Sequence, residues 1–223
     1  MTVAHHHGAA AAAAPRGGTP AWKLLVTLAL AGGLSGWLVV TVYQVTLPAV
    51  ERYAAARVDG AVREVLKAPA RWDTLYLVGT ALTPRPPAGA DKHELPTAFV
   101  GYDAAGARLG VAVTAAEPGF QEIMSLMIAF NPEDGALLGF KVLEEKETPG
   151  LGDKVEKDTA FGAQFAGRIT PLVGVKATRG GMPSEVQTIT GATISSRAVI
   201  RIINHAVEKW RPLIQAYDRG GAP

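Results

Sequence analysis

The sequence predicts an α/β (α+β) chain: a single N-terminal transmembrane helix followed by one domain in which a mostly antiparallel sheet packs on helices. Three observations carry that prediction. Residues 24–50 hold no charged side chain, residues 74–145 alternate short β-rich runs with turn residues, and residues 195–217 keep apolar side chains at helical spacing.

The run LLVTLALAGGLSGWLVVTVYQVTL, residues 24–47, would be about 36 Å long as a helix, against a hydrocarbon core of roughly 30 Å. A buried soluble helix of that length carries a polar face, and this one has none. A cleaved signal peptide has a shorter apolar region that ends in a small-residue site. Here the run leads into VERYAAARVDGAVREVL, which reads as a continuing helix. The expected division is a disordered tail over 1–22, a transmembrane helix over 23–47, a juxtamembrane helix over 48–70 with Pro48 at the junction, and a folded domain over 71–218. Arg16 and Lys23 before the span, against Arg52, Arg57 and Arg63 after it, leave the orientation open. Gly32 and Gly36 form a GxxxG pair, equally a helix-contact face or ordinary membrane-helix filler. The tail residues His5, His6 and His7 read as incidental.

The 22 basic and 20 acidic side chains are interspersed, which excludes a nucleic-acid binder of the electrostatic kind. No cysteine is present, so disulfides, thiolate metal sites, iron–sulfur clusters and cysteine nucleophiles are excluded in this chain. Redox chemistry would need an organic cofactor or a metal held by other ligands.

Within the domain, TLYLVGTAL (74–82) reads as one strand. TAFVGYD (97–103) and ARLGVAVTAA (107–116) read as a hairpin, and SLMIAFN (125–131) and ALLGFKVLEE (136–145) as a second pair about the PEDG turn at 132–135. VEKDTAFGAQFAG (155–167) reads as a short helix with Phe161 and Phe165 on its inner face. The last helix, 195–217, presents Val199, Ile202, Ile203, Ala206, Trp210 and Leu213 on one face, with Ser195 or Ser196 as N-cap.

Two segments combine polar groups with glycine: EKETPGLGDK (145–154) and TITGATISS (188–196). In the second, Thr190, Gly191, Ala192 and Thr193 run into the start of the last helix. Unpaired N–H groups and the positive end of the backbone dipole favour an anion there, and small residues let a bulky group approach. The geometry suits a phosphate held at, or joined to, Thr193. On spacing alone, a threonine or serine at a helix start reads first as a plain cap.

TGATIS resembles the [S/T]-G-A-T-x-[S/T] sequence of an FMN-binding domain shared by the G subunit of Rnf electron-transport complexes and the C subunit of the sodium-pumping NADH:quinone reductase. ETPGLG (147–152) resembles that family's second stretch residue for residue, about forty residues upstream. The resemblance implies FMN esterified through its phosphate to Thr193, a phosphothreonyl linkage made by a flavin transferase that uses FAD. It further implies that the 147–152 loop lies against the flavin ring. Thr190, Gly191, Ala192 and Ser195 would then surround the attachment point, and Glu147, Thr148, Gly150, Leu151 and Gly152 the ring. The chain departs from the family at Gln187, where many relatives are acidic, at Glu145, often histidine, and at Phe161, commonly tryptophan.

By the same resemblance the chain is expected to be an electron-transfer subunit of an ion-translocating, Rnf-type membrane complex, without independent catalysis. Its partners would be the integral-membrane and redox subunits and the transferase. It would be a single-pass protein of the cell inner (cytoplasmic) membrane with its C-terminal domain on the periplasmic or extracellular side. A flavinylated protein serving a separate extracytosolic reductase or regulatory receptor is the alternative, and a flavin-free anchored scaffold a further one. His93 and His205 are isolated and read as structural. Glu133–Asp134 and Glu144–Glu145 read as solvent-facing, and Asp153 and Lys154 as solvated charges.

Overall fold

A computed structural model describes residues 20–89, 95–177 and 182–220. His5, His6, His7 and His93, and most of the expected tail, lie outside the described residues. The chain falls into two compact units, Met1–Arg52 and Tyr53–Pro223.

Helix α1 spans Ala21–Val65 and retains Pro48 within it. Over its apolar stretch none of the side chains is buried, and it is long and apolar enough to cross a membrane. Its threonines are satisfied locally: the Thr27, Thr41 and Thr46 hydroxyls each donate 2.8 Å to the carbonyl four residues back. Hydrocarbon demands this, because it offers no competing partner. The juxtamembrane helix expected to reach residue 70 stops at Val65. Lys67 and Ala68 adopt φ of 61° and 58°, and the Ala68 N–H closes back on the Arg63 carbonyl at 2.7 Å. Ala68 precedes Pro69, which disfavours helical backbone there.

The second unit is built on a six-stranded antiparallel sheet in the order β2-β1-β3-β4-β5-β6. The strands are β1 (Arg71–Val78), β2 (Ala81–Thr83), β3 (Thr97–Tyr102), β4 (Arg108–Pro118), β5 (Ile123–Phe130) and β6 (Leu137–Glu144). Both expected hairpins form. In the first, Asp103 Oδ1 accepts from the Ala105 and Ala107 N–H groups and closes the turn. In the second, Gly135 supplies a φ of 78° and Asp134 Oδ1 accepts from Ala136. TLYLVGTAL is two strands rather than one, turned at Gly79, whose φ is 62°. A further hairpin, β4–β5, pairs Val111 with Phe130 through Pro118 with Ile123 and turns at 119–122.

Alternation sorts the strands onto two buried faces. Val111, Val113, Met124, Leu126, Ile128 and Phe130 join one core, while Ala112, Met127 and Ala129 join another with Val62, Val65 and Leu66 from the end of α1. Leu66 lies so close to the sheet that a Cβ on Gly101 would come within 2.8 Å of its Cδ1. The segment expected as one helix over 155–167 divides into α2 (Lys154–Lys157) and α3 (Thr159–Ala163). Asp158 causes the break: its backbone is extended, and its carboxylate caps α3 through the Ala160 and Phe161 N–H groups. Phe161 and Phe165 are buried as expected and pack edge-on, with centroids 5.1 Å apart. Strands β7 (Val173–Val175) and β8 (Glu185–Gln187) form a parallel pair, the exception to the antiparallel rule.

Helix α4 (Thr193–Gly220) lays Val199, Ile202, Ile203, Ala206 and Trp210 on the first core, with Leu213 at its margin. Arg211 Nε donates 3.1 Å to the Pro132 carbonyl and Gln215 Nε2 donates 2.7 Å to the same oxygen, tying the helix to the β5–β6 turn. Nearer its start, Arg201 donates to Glu117 Oε2 and to the Pro118 carbonyl, and His205 Nδ1 lies 2.9 Å from Glu117 Oε1. His205 is thus an exposed structural partner, as its isolation suggested. Trp210, 2% exposed, is the largest side chain in this core. Trp210→Ala is expected to destabilise the domain by about 3–5 kcal/mol in urea unfolding followed by circular dichroism.

Candidate functional site

The bend before α4 is closed by its own residues. Gly191 supplies a φ of 84°, the Ala192 N–H donates to the Ile189 carbonyl, and the Ser196 hydroxyl donates 2.8 Å to the Ala192 carbonyl while accepting from the Ile189 N–H. Helix α4 therefore starts at Thr193, two residues before the expected N-cap. Neither Ser195 nor Ser196 caps it, because both sit inside the first turn with their hydroxyls engaged. The cap position is held by Ala192, which has no side-chain acceptor. The N–H groups of Thr193, Ile194 and Ser195 consequently find no acceptor among the described residues. Thr193 is half-buried, and its hydroxyl makes only a long contact, 3.4 Å, to the Ile189 carbonyl. Thr190 and Gly191 lie beside it nearer the surface, and Ala192 is buried.

The other motif reaches this point through one carboxylate. Glu147 is 6% exposed. Its Oε1 accepts from the Phe120 N–H at 2.7 Å and the Gln121 N–H at 3.3 Å, and its Oε2 accepts from the Ser195 hydroxyl at 3.0 Å. Two glycines make room for it. A Cβ on Gly119 would come within 2.3 Å of Oε1, and one on Gly152 within 2.6 Å of Oε2 and 2.9 Å of Ser195 Oγ. The β4–β5 turn, the 147–152 loop and the start of α4 thus meet at Glu147. The Glu147 and Ser195 side chains, both read from sequence as site residues, bond to each other across the site. Glu145, expected in solvent, is half-buried, and its Oε2 accepts from the Glu147 N–H at 2.7 Å.

Beyond Glu147 the loop turns on Thr148, whose carbonyl accepts from the Leu151 and Gly152 N–H groups at 3.1 Å each. Gly150 takes a φ of 80° at an exposed position that a side chain would strain. Leu151 is 50% exposed, and on the two segments bonded to Glu147, Phe120 is 57% and Ile194 59% exposed. Phe120 and Ile194 belong to the bonded segments themselves, and Leu151 adjoins Gly152. Each of the three segments that meet at Glu147 thus carries one exposed apolar side chain, Ile194 being itself one of the residues with an unpaired N–H. Phe120 and Gly119 carry no signal in either motif, although the Pro118–Gly119 pair marks a turn.

Asp153 is not a solvated charge: it is 4% exposed, with one oxygen bonded to the Lys157 ammonium. That hydrogen bond holds the Asp153 carboxyl below its ordinary range although burial opposes it, and the same bond holds Lys157 high. Lys154 is half-buried.

The arrangement is a surface ledge. Three grooves of about 440, 440 and 330 Å³ are lined by other residues. The one on α4 includes Asn204 and Arg211 but starts roughly 16 Å along the helix from Thr193. The ledge offers backbone donors for an anion, one loosely held hydroxyl, and apolar surface for a flat group. FMN, which carries both a phosphate and a flat ring, suits such a set of donors and exposed apolar side chains.

A family model described as the FMN-binding domain matches residues 119–208, a span that begins at the glycine packed on Glu147. The chain is 26% identical over 186 residues to the G subunit of the ion-translocating oxidoreductase complex of Methanosarcina acetivorans, covering 83% of this chain and 92% of that protein. It is 30% identical to the G subunit of the ion-translocating oxidoreductase complex of Cronobacter sakazakii, covering 81% and 86%. Its fold is similar to that of the crystal structure of NqrC from Shewanella oneidensis, with a TM-score of 0.55, 17% identity, and coverage of 76% and 98%.

Two outcomes are expected from this geometry. Glu147→Ala leaves the buried Ser195 hydroxyl without its acceptor, costing about 1–3 kcal/mol, and releases the part-buried Phe120 and Gln121 N–H groups, so it should raise hydrogen exchange at 119–121 and 148–152 together. The Asp153–Lys157 pair has a defined pH window. A carboxyl held low stabilises fully above its ordinary 3.8 and loses that effect as pH falls through the folded value, and an ammonium held high stabilises fully below 10.5. The stability gap between wild type and Lys157→Gln, read by urea unfolding, should be constant at mid pH and close in acid. A gap that persists in acid would assign it to another cause.

Proposed function

The chain belongs to the family of ion-translocating oxidoreductase complex G subunits, and from that premise we propose that it is the electron-carrying subunit of an Rnf-type membrane complex, with FMN joined by a phosphoester to Thr193. One observation above all supports this reading: an uncapped helix start, with three unpaired N–H groups, stands at the only loosely held hydroxyl of the 193–196 turn. Bound there, FMN supplies the electron-transfer chemistry.

The roles of the chain's own residues follow. The N–H groups of Thr193, Ile194 and Ser195 hold the phosphodiester charge, which a helix start favours by about 0.3–1 kcal/mol. Gly191 and Ala192 leave the backbone open to it. Leu151, Phe120 and Ile194 form the bed for the ring, with Thr148 and Gly150 at its edge. Glu147 and Gly152 position that bed. Ser195 and Ser196 are excluded as acceptors because their hydroxyls are committed and buried. A shallow ledge encloses little of a bound group, so a covalent tether is what retains the cofactor.

In the attachment step the Thr193 oxygen attacks the FMN phosphorus of FAD. The O–P bond forms, the pyrophosphate bond breaks, AMP leaves, and the hydroxyl proton passes to a base on the transferase. Residues 23–47 form the single membrane span, 48–70 the connection to it, and 71–218 the FMN domain on the periplasmic or extracellular side, where lost FMN is not replaced. The membrane and redox subunits of the complex are the partners that deliver and remove electrons.

Expressed with a flavin transferase, the wild-type chain should give a fluorescent band after denaturation and a Thr193 peptide heavier by FMN less one water. Thr190→Ala should keep both, whereas fluorescence persisting in Thr193→Ala would show another acceptor. A reporter fused after Tyr217 should be active outside the cytoplasm, and activity confined to the cytoplasm would reverse the orientation.

A further inference from the structure

Asp153 holds a buried side-chain atom that the contacts above leave unexplained. Its Oδ1 is shielded from solvent and has no hydrogen-bond partner, alone among the buried side-chain polar atoms of the described residues. Buried carboxylate oxygens normally find donors, because the charge is otherwise stripped of hydration without compensation. The partner of the other oxygen does not cancel this charge evenly. The Asp153 side chain is 6% exposed and the Lys157 side chain 70% exposed, so water screens the ammonium far more than the carboxylate. The pair is formally neutral, but its negative end is buried and its positive end is solvated, so the field it leaves inside the protein is that of the carboxylate, partly offset by Lys157 and Lys154.

Its position gives that field a target. Asp153 follows Gly152, whose Cα abuts Glu147 and the Ser195 hydroxyl two residues from Thr193. It is joined to the turn that carries Thr148, Gly150 and Leu151: the Gly152 N–H donates to the Thr148 carbonyl, the Lys154 N–H to the Leu151 carbonyl, and the Gly150 backbone N–H faces the Asp153 carboxylate. We propose that the Asp153 carboxylate is a potential-setting charge: it holds the reduction potential of the flavin down, and Lys157 partly offsets it. The inference rests on the FMN reading above. Reduction adds negative charge to the ring, and a fixed negative charge near it raises the cost of that addition. Glu147 carries a second buried charge nearby, and its three donors are neutral groups, so it adds to the same negative field as a constant background in all the variants below. The Lys157 hydrogen bond outweighs the opposing effect of burial, with the Gly150 backbone and Lys154 adding to it, so the Asp153 carboxyl is held low and burial does not protonate it.

The test is a spectroelectrochemical titration of the full-length flavinylated chain in detergent, with Asp153→Asn, Lys157→Gln and the double variant. Asp153→Asn should shift the midpoint potential upward, Lys157→Gln downward, and the double variant back toward wild type. High salt should shrink the Lys157 shift and spare the Asp153 shift. Both single variants break the same ion pair, so a merely structural role would move the potential in one direction in both. Shifts of the same sign, or none for Asp153→Asn on a loaded protein, would overturn the proposal while leaving the FMN reading intact. Should Asp153→Asn fail to load, the sign of the Lys157→Gln shift decides alone: downward supports the proposal, and upward or zero overturns it. A wild-type chain of unmodified mass would overturn both.

Discussion

The Glu147 carboxylate is the contact on which the geometry of the ledge depends. One buried side chain takes donors from the β4–β5 turn and from the first turn of α4, the latter 48 residues away in sequence. A carboxylate suits the task because it accepts in several directions at once and a charge-assisted bond is stronger than a neutral one. The glycines at 119 and 152 are a consequence of the same contact, since neither position has room for a side chain.

The contact holds because the elements it joins are themselves fixed. The β4–β5 hairpin is pinned to α4 by Arg201 and His205 through Glu117, and the far half of α4 is pinned to the β5–β6 turn by Arg211 and Gln215. Between these polar fastenings the helix buries Val199 through Trp210 on one face of the sheet. The end of α1 covers the other face, so the sheet is buried on both sides by sequence-distant elements. Rigidity at the ledge is thus a property of the whole three-layer stack.

Patterns with a short period were legible in the sequence. The two expected hairpins follow from alternation and turn residues, and the inner face of α4 follows from its 3.6-residue spacing. Features set by a single long-range bond were not. Glu147 looked like a polar group free to face a ligand because its partners at 120, 121 and 195 cannot be inferred from local pattern. Asp153 looked solvated for the same reason. The start of α4 lies two residues ahead of the serines that offer an obvious cap, because Ser195 bonds Glu147 across the fold and Ser196 closes the bend through Ile189 and Ala192. The end of α1 lacked a glycine signal, since Lys67 and Ala68 take the left-handed conformation instead.

The open character of the ledge bears on the order of biogenesis. The two motifs meet only when the sheet has closed and the last helix has docked, so an enzyme that reads their combined surface meets that surface on folded chains alone. Maturation at Thr193, on the proposed reading, would then act as quality control: misassembled copies would remain colourless and redox-inert.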